Sequence, residues 1–212
     1  MFPVLNTERL CLREIRESDA EALFQCLSKD EVTRFYGQDS LENVEQAKDI
    51  VAAFAKNHHE KRAIRWGIER KDTQELIGTI GFHAHSPKYR RAEIGYEIHP
   101  AHWRKGFASE ALKEAIAHGF HDLDLTRIGA VVFLENQPSS ELLLKLGFIQ
   151  EGVLRSYIYQ NGIPHDTYVY SLLKWNQLLW KVAPEEIRDN FAYNSQSGER
   201  VGISRIQFRV SP

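Results

Sequence analysis

Cysteine is scarce in this sequence: Cys11 and Cys26 are the only two in 212 residues. Two cysteines make no disulfide framework, so the chain must be held together by its core. Long apolar runs are missing as well. No stretch approaches the roughly 18 residues that a membrane-spanning helix requires, and the first residues lack the charged, apolar and small-residue regions of a secretory leader. Nor does one charge dominate: 27 Lys and Arg stand against 29 Asp and Glu, interspersed, for a formal net charge of −2. That balance speaks against the basic footprint of a nucleic-acid binder and against an anionic membrane as partner. The expectation is a soluble, cytoplasmic protein with no nucleic-acid and no membrane partner.

At 42% hydrophobic residues, the chain can build one well-cored domain. Residues 10–15 alternate as a strand. Ser18-Asp19-Ala20-Glu21 is a capping-box pattern, and Ala20, Leu23, Phe24 and Leu27 give the next helix an apolar stripe. Val44, Ala47, Val51 and Phe54 mark a second helix over 41–56, reached through the aromatic link 33–37 that contains Phe35 and Tyr36. Strands at 64–68 and 76–82 alternate about the turn 71–74 as a hairpin. A strand over 93–98 leads through a basic turn into a helix with its stripe at Phe107, Ala111, Ala115 and Phe120.

Arg127 to Phe133 reads as a buried strand and is followed by a short helix that Gly147 ends. Strands at 153–159 and 167–173 flank the hairpin dipeptide Asn161-Gly162. This order mixes hairpins with helical crossovers, which predicts a mixed, helix-covered α/β sheet. After about 180 the pattern weakens, and residues 179–212 read as an appendage of undetermined order.

The chemistry gathers around Trp103-Arg104-Lys105-Gly106-Phe107-Ala108-Ser109. The first amides of a helix have no internal partner and carry the positive end of its dipole, so they suit an anion. Gly106 permits close approach, and Arg104 and Lys105 add charge. A turn with two solvated cations explains the same residues equally well. Three histidine groups (His58-His59, His83 with His85, His99 with His102) lack carboxylates or cysteines at ligand spacing, so they read as surface histidines and no metal is expected.

Four stretches together resemble the Gcn5-related N-acetyltransferase superfamily, and within it the Rim-type branch that acetylates ribosomal-protein N-termini. They are Thr7-Glu8-Arg9-Leu10-Cys11-Leu12-Arg13; Gly95-Tyr96-Glu97-Ile98 with the turn 103–108; Asn136-Gln137-Pro138-Ser139 with Lys145-Leu146-Gly147-Phe148; and Glu151-Gly152 leading to Asn161-Gly162. The resemblance implies a domain over 6–178 whose mostly antiparallel sheet splays into a V between its central strands. It implies acetyl-CoA as co-substrate, without a metal. The pyrophosphate would lie on Arg104, Lys105, Gly106, Phe107, Ala108 and Ser109, and the pantetheine arm beside Ile98 and Asn136. Trp103, where most of the superfamily has Gln or Arg, is usual in the Rim-type branch.

Ser139 matches the serine that this branch aims at the sulfur, although Ser139 and Asn136 are also ordinary helix-capping residues. The glutamate that some Rim-type enzymes use as base aligns with Ile158, which leaves Glu97 as the substitute, either as a catalyst or as a structural carboxylate. Phe35 and Tyr36 would border the acceptor groove. The expected acceptor is a protein N-terminus; the alternatives are a small amine such as a polyamine or aminoglycoside, or a non-catalytic acyl-CoA-binding module. A monomer and a homodimer fit equally.

Overall fold

The computed structural model describes residues 1–175. The appendage at 179–212 lies outside the described residues. One eight-stranded sheet runs through the molecule in the order β1-β2-β3-β4-β5-β6-β8-β7. Its first four strands are β1 (Leu5–Asn6), β2 (Leu10–Glu14), β3 (Ile64–Arg70) and β4 (Leu76–Ser86). The others are β5 (Arg91–Ile98), β6 (Arg127–Phe133), β7 (Ile149–Gln160) and β8 (Ile163–Leu173). The α-helices among the described residues are α1 (Ala20–Leu27), α2 (Asp30–Thr33), α3 (Val44–His59), α4 (Phe107–His121) and α5 (Gln137–Lys145). No helix among the described residues is long and apolar enough to cross a membrane.

Every strand pair is antiparallel except β5 with β6. A parallel pair needs a crossover, and α4 supplies it. The pairing lasts only from Arg91 opposite Arg127 to Glu93 opposite Gly129. Beyond Glu93 the two strands part, so the expected splay is present and, among the described residues, the stretch from Ile94 to Ile98 pairs with β4 alone.

Apolar residues on the two faces form separate cores. One gathers Phe107, Ala111, Leu112, Ala115, Ile116 and Phe120 of α4 with Trp66, Ile80, Ile94 and Ile128 of the strands. The other joins Leu23, Cys26 and Leu27 of α1 to Val32 of α2 and to Ala47 and Val51 of α3. Alternation along β5 therefore sorts its side chains: Ala92, Ile94 and Ile98 belong to the α4 core and Tyr96 packs against it, while Glu93, Gly95 and Glu97 face the other way.

Several boundaries differ from the sequence expectation. The pattern Ser18–Glu21 does not cap α1. A 3₁₀ turn, Glu17–Asp19, precedes the helix, and the Asp19 carboxylate accepts from the Arg16 amide (2.7 Å) and from both terminal nitrogens of Arg13. The demand of the Arg13 guanidinium overrides the local capping preference. The second helix starts at Val44 rather than 41, because the Asn43 side chain caps it by accepting from the Gln46 amide. The last hairpin is longer than its alternating segments suggest, and its turn has positive φ at both Asn161 (52°) and Gly162 (73°), as a two-residue hairpin turn of mirror-image type requires.

Candidate active site

A cleft of about 510 Å³ opens where β5 and β6 part. One wall comes from the turn after β5 and the N-termini of α4 and α5; the opposite wall is α2 and the aromatic turn behind it. Glu97, Ile98, Trp103, Arg104, Gly106, Phe107, Ala108, Ser109, Asn136 and Ser139, all singled out in the sequence, line it together with Phe35 and Tyr36. Lys105 is not among the lining residues; its ammonium donates to the Ala101 carbonyl at 2.7 Å.

The basic turn is shaped by two left-handed residues, Arg104 (φ 60°) and Gly106 (φ 83°). Gly106 is the residue before α4, and a Cβ there would add strain and come within 3.3 Å of Arg9 Nη2. Arg9 itself fastens the turn, donating Nη1 to the Lys105 carbonyl at 3.0 Å and lying over the Phe107 ring at 4.6 Å. The Phe107 side chain is core, so only its backbone is available to a ligand. Glu110, in the first turn of α4, accepts from the Arg9 amide (2.8 Å), the Arg9 guanidinium and the Thr7 hydroxyl (2.5 Å). Burial alone would raise its carboxyl, but Thr7 and Arg9 outweigh burial and hold it below the ordinary carboxylate range. The amides at the start of α4 suit a diphosphate, with Arg104 beside them. Trp103 is 41% exposed, and its indole donates to the Ile98 carbonyl at 2.6 Å. It therefore ties the turn back to β5.

Asn136 and Ser139 divide the two readings that the sequence left open. Asn136 is the N-cap of α5, with Oδ1 accepting from the Ser139 amide at 3.3 Å. Ser139 is no cap. Its hydroxyl lies 2.9 Å from the Tyr96 hydroxyl, across the cleft floor on the α4 face of β5. Burial pushes the Tyr96 phenol up to about 12, against the opposing hydrogen bond from Ser139, so it stays neutral and can donate. Tyr96 was missed as a site residue. The signal was present: the alternation that places Ile94 and Ile98 on the α4 face places Tyr96 there too.

Glu97 is 6% exposed on the other face of β5. One carboxylate oxygen accepts from Arg65 Nη2 and the other from the Thr79 hydroxyl. Arg65 also donates to Thr79 Oγ1 (2.6 Å) and to the Gly95 carbonyl (3.1 Å). Burial pushes the Glu97 carboxyl above its ordinary range, while Arg65 and Thr79 pull it back. A proton arriving at Glu97 is opposed by the Arg65 guanidinium, which favours the charged carboxylate, and favoured by burial.

The histidines do not all lie at the surface. His102 is 7% exposed, with its Nε2 3.2 Å from Glu75 and its ring beside those of His99 and Phe107. His118 is also buried, against Trp66. Among the described residues, no cluster of three or more His, Cys, Asp or Glu side chains is placed to hold a metal ion.

The sheet parts between its parallel strand pair and a left-handed basic turn opens a helix in the gap, the arrangement that the resemblance to N-acetyltransferases implied, and the family comparison agrees. The model of the acetyltransferase (GNAT) domain matches residues 9–149, and the chain belongs to this family. It is 62% identical to YoaA, an uncharacterized N-acetyltransferase of Bacillus subtilis, over 174 residues that make up 82% of this chain and 98% of the relative. It is 29% identical to the ribosomal-protein-serine acetyltransferase of Escherichia coli, covering 78% of this chain and 93% of that protein. A ribosomal L7/L12 α-N-protein acetyltransferase, RimL, solved in complex with coenzyme A, superposes with a TM-score of 0.71 at 25% identity, covering 81% of this chain and 98% of that one. The spermidine N(1)-acetyltransferase of E. coli is 28% identical, covering 71% of this chain and 78% of the relative.

Proposed function

We propose that this N-acetyltransferase uses acetyl-CoA to acetylate the N-terminal α-amine of a protein, as the ribosomal L7/L12 α-N-protein acetyltransferase it resembles is named for doing. The turn from Arg104 to Ser109 holds the diphosphate through its amides, Trp103 and Ile98 border the arm, and Asn136 fixes the turn that presents Ser139. The amine nitrogen attacks the thioester carbonyl; the C–N bond forms, the C–S bond breaks, and the nitrogen loses a proton. Ser139 donates a hydrogen bond to the departing thiolate and is oriented by the Tyr96 hydroxyl 2.9 Å away, and the thiolate takes up the proton that water carries from the nitrogen. Glu97 is held by Arg65 and Thr79, and an α-amine is already partly neutral near pH 7, so water is assigned to take the proton from the nitrogen. Glu97 contributes by fixing Arg65 and Thr79 beneath the acceptor wall.

The observation that carries the choice of acceptor is the mixed charge of the cleft. Glu31 and Glu141 line it alongside Arg34, Arg104 and Lys145, and Glu97 is neutralised by Arg65. A polyamine calls for an uncompensated acidic lining, which these walls do not offer. A lysine side chain, with a pKa of about 10.4, needs a strong base, whereas an α-amine near 8 is already partly neutral. Where a glutamate base would align, Ile158 packs against Gly37 instead.

The test compares kcat/KM for short peptides beginning with Ala or Ser, for blocked-N-terminus peptides containing lysine, and for spermidine. The free N-terminus should win. A higher kcat/KM for spermidine or for blocked lysine peptides replaces this acceptor with the small-amine or lysine alternative. No turnover of any of them, with acetyl-CoA bound, would leave a non-catalytic module.

A further inference from the structure

Gln160 stands out as a buried polar residue where its neighbours are exposed apolar ones. It ends β7 at 4% exposure, while Tyr159 beside it is 70% exposed and Ile163 across the turn 56%. A hydrophobic core would have ordered them the other way round. Its carboxamide is fully used. Oε1 accepts from the Gly37 amide at 2.9 Å; Nε2 donates to the Thr33 carbonyl at 2.9 Å and to the Gln38 carbonyl at 3.0 Å.

All three partners are main-chain groups of the segment that bears Phe35 and Tyr36. That segment has little regular structure of its own: its one short helix, α2, ends at Thr33, and Gly37 adopts φ 81°. The same contact is reinforced by Ile158, whose Cγ2 lies 3.5 Å from where a Cβ on Gly37 would stand. Phe35 packs against Phe133 with ring centres 5.9 Å apart, and Tyr36 lines the cleft on the face of Glu97.

We propose that Gln160 is a positioning residue for the acceptor: it staples the segment 33–38 to the β7–β8 hairpin and so sets where Phe35 and Tyr36 stand. A primary amide is the side chain that offers two N–H donors and an acceptor at one point, as these three main-chain groups demand. Leu fills the volume and pairs none of them; Glu keeps the acceptor for Gly37 and sets oxygen against the Thr33 and Gln38 carbonyls. The staple touches neither the turn at Arg104 nor Ser139, so its loss should be felt by the amine and not by acetyl-CoA.

This inference rests on reading α2 and the aromatic turn as the acceptor wall, not on which amine is accepted. The experiment therefore uses whichever of a Ser-initiated octapeptide and spermidine the parent protein turns over faster; the parent's own ratio judges the acceptor, and the variants judge Gln160. For Gln160→Leu and Gln160→Glu the acceptor KM should rise about tenfold while the KM for acetyl-CoA stays within about twofold. Gly37→Ala, which places a Cβ on a left-handed residue facing Ile158 of the same hairpin, should shift the same constant, and combined with Gln160→Leu should raise it by less than the product of the two. If a Gln160 variant fails to fold, Gly37→Ala carries the test alone. Unchanged acceptor KM in the folded variants, or a loss of kcat in proportion to lost folded protein with both KM values kept, would overturn the proposal.

Discussion

The two walls of the cleft are built in opposite ways. The wall beside α4 and α5 is local in sequence: Trp103 reaches back five residues to Ile98, Asn136 caps the helix three residues on, and two left-handed residues within three positions shape the turn. The long-range help it receives comes from Thr7 and Arg9, which clamp Glu110 and the Lys105 carbonyl. The facing wall is held from a distance. Its segment around Phe35 and Tyr36 takes its shape from Gln160 and Ile158, more than a hundred residues away in the chain. A locally coded wall suits a ligand that does not vary, in the proposed function the diphosphate and arm of acetyl-CoA. A wall held by a few distant side chains can change its acceptor without disturbing the rest.

That contrast can be broken from either side. The largest effect is expected at Gly106. Gly106→Glu places a side chain on a left-handed residue, crowds Arg9 and brings negative charge to the diphosphate site. The stabilisation that acetyl-CoA gives in a thermal-shift measurement should vanish; if the folded variant is stabilised like the parent, the diphosphate lies elsewhere. Next comes Ser139→Ala. Losing a donor that acts only as the thiolate forms should lower kcat by about 100-fold and leave acetyl-CoA affinity near normal. An unchanged kcat would remove Ser139 from the mechanism.

Tyr96→Phe should cost less, about tenfold in kcat, since Ser139 keeps its own hydroxyl and loses only the hydrogen bond that orients it. The smallest effect concerns stability. The carboxyl of Glu110 is held below its ordinary 4.5 in the folded chain. Its contribution is therefore complete above about pH 4.5 and is lost as pH falls through the lower folded value. Urea midpoints taken at pH 6 and pH 3.5 should differ less in Glu110→Gln than in the parent. An equal difference would mean that the clamp on α4 adds no pH-dependent stability.

The same contrast explains what could be read from the sequence. The strand and helix framework was legible because hydrophobic periodicity is local, and β6 came out at its observed limits, Arg127–Phe133. The basic turn, the α5 N-terminus and the splay followed from motifs carried on those elements. Ser18–Glu21 misled because a guanidinium from a neighbouring strand, Arg13, captured Asp19. Glu97 was visible as a carboxylate on β5, but its engagement by Arg65 and Thr79 depends on how β3, β4 and β5 register, which no local pattern specifies. Gln160 gave no signal at all. A glutamine next to Asn161-Gly162 looks like one more polar hairpin residue until the chain folds segment 33–38 against it.

The most direct test of the two-wall account is a crystal structure of the chain with coenzyme A. The account places the diphosphate on the amides of the turn 104–109, with the thiol in the gap between β5 and β6 within hydrogen-bonding distance of Ser139 Oγ, and the segment around Tyr36 left free on the far side. A thiol that ends away from Ser139, or a diphosphate bound against Phe35 and Tyr36, would contradict it.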